Sequence, residues 1–81
     1  MSRIFVPFSE YNRLMRKFAE RLKELRLERG LSIAALGQRI GVGAASVCRW
    51  EKGECDVKGD SLISLAKFFE VSADYLLGLE D

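Results

Sequence analysis

Apolar residues recur along most of this chain at steps of three and four, and glycine punctuates them. Leu14, Phe18, Leu22 and Leu25 run up to Gly30. Leu36 and Ile40 run up to Gly41, and Val47 and Trp50 up to Gly53. Leu62, Leu65, Ala66 and Phe69 precede a short tail that reaches Gly78. A step of three or four marks one face of a helix, whereas a half-buried strand needs a step of two. No useful length of the chain alternates at two. An all-α fold is therefore expected, with helices stopped near glycines that accept the left-handed backbone of a helix C-terminus.

Start signals divide the pattern into five helices. Ser9 is the expected N-cap of a first helix over about residues 10–29, and Ser32 of a second over 33–40. A third is expected over 43–51. Asp60 or Ser61 should cap a fourth that ends near residue 69, and Ser72 a short fifth, "ADYLL". Short helices with tight connections imply a compact orthogonal bundle. Pro7 blocks a helix from running back through it, so residues 1–8, "MSRIFVPF", read as an apolar arm ahead of a domain over 9–81. Gly37 stands inside the second helix, where glycine costs about 1 kcal/mol relative to alanine. Its presence predicts that another backbone passes close by. Val42, in the following turn, is positioned to plug the core.

The 81 residues allow one domain with a marginal core, which association would help. No apolar run nears the roughly 20 residues that span a bilayer. "IFVPF" is too short for a signal-peptide core and no small-residue cleavage site follows it, so a cytoplasmic location is expected. Two cysteines, Cys48 and Cys55, are too few for a disulfide framework. The chain has no histidine, so a zinc site inside one chain has too few good ligands, which leaves only a site shared between two chains as the alternative to no metal; no cofactor is expected. No nucleophile has an evident base, which argues against an enzyme. Cys48 stands beside Arg49, and cationic neighbours raise thiol reactivity, which makes it the candidate for a redox switch.

The net charge of +1 conceals an asymmetry. Residues 1–30 carry eight Lys/Arg against four Asp/Glu, and residues 31–53 three against one. Residues 54–81 carry two against seven. A basic first two-thirds suits an anionic partner, with the acidic tail directed away. The stretch "LSIAALGQRIGVGAASVCRWEKG" sits in that basic region and combines a helix of about eight residues, a glycine turn and a second helix of similar length. This is the helix-turn-helix arrangement, here over about 32–51. Its first helix lies across the DNA backbone with its N-terminal amides at a phosphate, and its second offers N-terminal side chains to the major groove.

The chain resembles the phage-repressor and Cro type of helix-turn-helix domain, the XRE-like family. The resemblance runs from about Phe18 to Gly78 and is carried by "RLKELRLERGLS", "LGQRIGV", "SVCRWEKG" and "SLISLAKFFEVSADYLLG" in that order. It implies a lambda-repressor-like fold of five short helices. It also implies a sequence-specific DNA-binding transcriptional regulator on a two-half-site operator as a homodimer. Repression by occupancy is the simplest mechanism, and an activator that touches polymerase or an antitoxin controlling its own promoter would look the same in sequence. Arg26 and Glu51 match a pair of residues that tie the first helix to the third in this family. Ser32, Ile33, Gly43, Ala44, Ala45, Ser46 and Arg49 match the positions that meet DNA, and Lys52, just past the helix, is the expected phosphate contact.

Several of these residues depart from the family pattern. Ile33 stands where glutamine is common, and Gly43, Ala44 and Ala45 stand where polar residues are common. Glu54 and Asp56 lie in a loop that is often basic. Reading then falls to Arg49 against a guanine, to alanine methyls against thymine and to DNA shape. These silent positions, the acidic last third, and apolar Ile33, Ile63 and Phe68 off the expected core faces also suit a second reading. In it the domain is a protein-interaction module that has lost most base reading. For the homodimer, two surfaces compete. One is the arm and the start of the first helix (Ile4, Phe5, Val6, Phe8, Tyr11, Met15), and the other is the C-terminal segment around Phe68, Tyr75 and Leu79.

Overall fold

The structure, a computed structural model, describes residues 8–54 and 57–79, with side chains from Tyr11 onward. The arm, Cys55 and Asp56 lie outside the described residues, apart from the backbone of Phe8. Five helices are described: α1 (Phe8–Glu28), α2 (Ile33–Ile40), α3 (Ala44–Lys52), α4 (Gly59–Phe69) and α5 (Ala73–Leu76). No strand occurs among the described residues. The all-α bundle read from the periodicity is the fold observed.

Two of the expected caps are corrected. Ser9 lies inside α1, which already includes Phe8, so it does not cap that helix. α4 begins at Gly59 with Lys58 in the N-cap position and no side-chain cap bond. Asp60 falls instead in its first turn, where a carboxylate meets the positive end of the helix dipole. The other two serines cap as expected: the Ser32 hydroxyl accepts from the Ala35 amide at 3.0 Å and that of Ser72 from the Tyr75 amide at 2.9 Å.

Phe18 and Leu22 of α1, Leu36 of α2, Val47 and Trp50 of α3, Leu65 and Phe69 of α4 and Leu76 of α5 form the buried core. Leu25, Ile40, Val42 and Leu62 pack around it half-buried. Ile33 and Phe68 do so too, which corrects the expectation that they lie off the core, while Ile63 is exposed. The reason is their neighbours. Phe68 packs edge-on to Phe69 at 4.9 Å between centroids, and the Arg29 guanidinium lies over its ring at 5.2 Å. Arg21 fastens α5 to α1 by donating from Nη1 to the Tyr75 carbonyl at 2.6 Å, with its guanidinium 4.2 Å from the Tyr75 ring centre.

The turn between α2 and α3 is closed by backbone. Gly41 is left-handed (φ 78°), and its amide, like that of Val42 at 2.8 Å, donates to the Gly37 carbonyl. That brings the Val42 carbonyl so close to Gly37 that a Cβ placed there would lie 2.7 Å from it. The close approach anticipated at Gly37 is thus an approach of the turn itself, and it sets how α3 leaves α2.

Candidate nucleic-acid interface

The roll of α3 about its axis decides what it can offer a ligand. Val47 and Trp50, three residues apart, point into the core, and the rings of Trp50 and Phe18 of α1 meet edge-to-face with centroids 6.4 Å apart and planes at 70°. With those two inward, Ala44, Ala45, Arg49 and Lys52 are left exposed and Ser46 and Cys48 half-buried. Ala45, Arg49 and Lys52 follow at steps of four and three, so they form one outward stripe. Methyl groups flank the arginine on its N-terminal side, which leaves its guanidinium room to reach past the helix surface. α3 is capped by Gly43 with no side-chain bond. Its first amides are therefore not covered by a capping side chain and remain available as donors at the positive end of the helix.

Arg26 and Glu51 are brought together and fix the far end of this helix. Arg26 Nε donates to Glu51 Oε2 at 2.6 Å and Nη2 to Oε1 at 2.9 Å, a bidentate pair. Arg26 Nη1 donates to the Leu31 carbonyl at 2.7 Å. One guanidinium thus joins α1, the α1–α2 turn and the last turn of α3. Both side chains are buried, at 9% and 7% exposure, so the pair is shielded from water. The hydrogen bonds that Arg26 donates to Glu51 raise its pKa above the ordinary value, against the opposing effect of burial.

The remaining expected contacts divide. Ser32 is exposed at the start of α2, but its hydroxyl is already engaged in capping. The Ile33 side chain is partly committed to the core, and what it leaves at the surface borders a hollow of about 220 Å³ shared with Lys23, Cys48 and Lys52. Lys23 was not singled out in the sequence. It lies on α1, far in sequence from Lys52, and only the packing of α1 against α3 brings the two together. Glu54 is exposed. Among the described residues no group of three or more His, Cys, Asp or Glu is placed to hold a metal, and no helix is long and apolar enough to cross a membrane.

Comparison with known proteins agrees with this geometry. A helix-turn-helix family model matches residues 22–76. Repressor protein C2 of Salmonella phage P22 is 36% identical over 58 residues, 72% of this chain and 27% of its own length. An HTH-type transcriptional regulator of Bacillus subtilis, YobD, is 34% identical over 64 residues, 79% of this chain and 57% of its own length. The chain therefore spans between about a quarter and just over half of these relatives. Among solved structures, the P22 c2 repressor in complex with a synthetic operator superposes with a TM-score of 0.74 at 33% identity, over 78% of this chain and 96% of that one. The restriction-modification controller protein C.AhdI from Aeromonas hydrophila gives 0.70 at 31% identity, over 76% and 94%. Shared sequence and shared fold both centre on the unit that presents the α3 stripe, and the chain belongs to the helix-turn-helix family, in its phage-repressor-like (XRE-like) branch.

Proposed function

We propose that this chain binds specific sites in double-stranded DNA and regulates transcription by occupying them, as a homodimer on an operator with two half-sites. Residues 9–81 act in this reading as one domain, with 32–51 the reading unit and 1–8 an arm. The observation that carries it is the outward stripe Ala45–Arg49–Lys52, held rigid at one end by the Gly37 turn and at the other by the Arg26–Glu51 pair. Arg49 is the long donor on that face and reads a guanine edge in the major groove. Ala44 and Ala45 let the helix sit deep and offer methyl contacts to thymine, while Gly43 and Ser46, with the nearby backbone amides, hold phosphates. The α2 end contributes the backbone at Ser32 and Ile33, and Lys52 contacts phosphate. In a bacterial or phage setting such a regulator works in the cytoplasm.

Arg49→Ala is expected to reduce discrimination between a selected site and random duplex by about 1–3 kcal/mol. Lys52→Ala should weaken both alike and make binding less salt-dependent. Selection of bound sequences from a random pool supplies the site, and titration against both duplexes checks the contrast. A uniform loss from both variants would make Arg49 a phosphate contact only.

Exposed Leu79 (59%), with Phe68 and Tyr75 half-buried, favours the C-terminal surface for the homodimer. A chain that begins at Tyr11 should then sediment as the same dimer as the full chain. Loss of the dimer on that truncation would move the interface to the arm. Exposed Ile63 and Leu79, with the short side chains at Gly43, Ala44 and Ala45, favour the second reading as a protein-interaction module. Salt titration on random duplex separates the two, because phosphate contacts make affinity fall steeply with salt.

A further inference from the structure

We propose that the groove between the N-terminal half of α1 and the end of α3 is a second phosphate-binding track, which takes the DNA backbone flanking the bases that α3 reads. The inference rests on the DNA-binding reading above and extends it to residues outside the family match. The family model matches from Leu22 and the resemblance starts at about Phe18, whereas α1 begins at Phe8, so Asn12 and Arg16 stand on helical turns ahead of the matched domain.

Those turns form a groove of about 410 Å³ with the end of α3. Arg16 and Lys23 line it from α1, and Lys52 and the Gly53 backbone from α3. Lys23, Glu51 and Lys52 also line the smaller hollow that reaches Ile33 at the start of α2. The two depressions are therefore contiguous. Together they lead from the α2 N-terminus, where a helix-turn-helix meets phosphate, across the end of α3 and out along α1.

The charges along this path favour a polyanion. Arg16, Lys23 and Lys52 are exposed, and none has a carboxylate within ion-pair distance among the described residues. Glu51 is neutralised by Arg26, which leaves Glu20 as the opposing charge in the groove. Arg16 and Lys23 are seven residues apart, hence on one face and about 10 Å apart along the helix at 1.5 Å per residue. One strand of duplex DNA presents a charge every 3.4 Å or so of its axis. Cations strung out over that distance suit a line of phosphates better than a single compact anion. The track also supplies what the groove helix lacks. With Gly43, Ala44 and Ala45 contributing no side-chain donors, affinity must come more from backbone contacts.

Salt titration of the full chain on random-sequence duplex tests this. Arg16 is exposed, so Arg16→Gln should leave the fold intact. The slope of log affinity against log salt should become shallower by about 0.9, so that the advantage of the unmodified chain shrinks about three- to fourfold between about 50 and 200 mM salt. Glu20→Gln should strengthen binding. Lys67→Gln, which removes an exposed charge on α4, should leave the slope unchanged. An Arg16→Gln slope equal to that of the unmodified chain, or an equal change from Lys67→Gln, would overturn the track while leaving DNA binding in place. Failure of the unmodified chain to bind any duplex would instead overturn the DNA-binding reading, and the track with it.

Discussion

Glu51→Ala is expected to destabilise the domain by about 3–5 kcal/mol, the loss typical when one partner of a buried ion pair is removed. The cost arises less from the missing attraction than from what remains. Arg26 would stay charged and buried, and of the three bonds its guanidinium makes to Glu51 and Leu31 only the one to the Leu31 carbonyl would remain. Small domains have about 5–15 kcal/mol of stability in all, so the variant should lie near its unfolding midpoint under mild conditions. Urea unfolding followed by the fluorescence of Trp50, the chain's one tryptophan and a core residue, gives the measurement. A double-mutant cycle with Arg26→Ala isolates the pair energy. A loss below about 1 kcal/mol, the value of an exposed pair, would show that the clamp does not hold α3. The pKa of Arg26 is raised in the folded state, so its contribution is fully present below the unfolded-state value and is lost only as pH rises through the folded one. Neutral and moderately alkaline pH should therefore leave it intact.

Gly37→Ala should destabilise by about 1–3 kcal/mol, the cost of overpacking. The sign is what makes it informative. In an unconstrained helix interior the same change stabilises by about 1 kcal/mol. Here the new Cβ would lie 2.7 Å from the Val42 carbonyl and 3.4 Å from the carbonyl carbon of Gly43, and those are backbone atoms that cannot swing aside as a side chain would. Relief requires the turn to move away from α2, and α3 moves with it. DNA affinity should accordingly fall by more than the lost stability accounts for at temperatures where the variant remains folded. A Gly37→Ala chain as stable as the original would mean that the turn relaxes freely and does not set the angle between the helices.

The helices and their inward faces were legible in the sequence because their signals are local. α2 runs over the residues that its spacing and its flanking Ser32 and Gly41 indicate, since a cap and a stop act within a turn of where they stand. Gly37 is similar: a residue that disfavours its own helix announces a packing constraint. The Arg26–Glu51 contact followed from the family resemblance, not from spacing, because nothing local relates two residues 25 apart. Where local signals misled, neighbours in space were the cause. Phe68 and Ile33 seemed off the core faces, yet Phe69 and Arg29 cover the first and the core accommodates part of the second. Ser9 has the chemistry of a cap, but α1 already contains it. The groove that joins Arg16 and Lys23 to Lys52 was invisible in one dimension. Periodicity reports which side of a helix faces inward, but which helix lies against which, and so which exposed charges share a surface, is set only when the core closes.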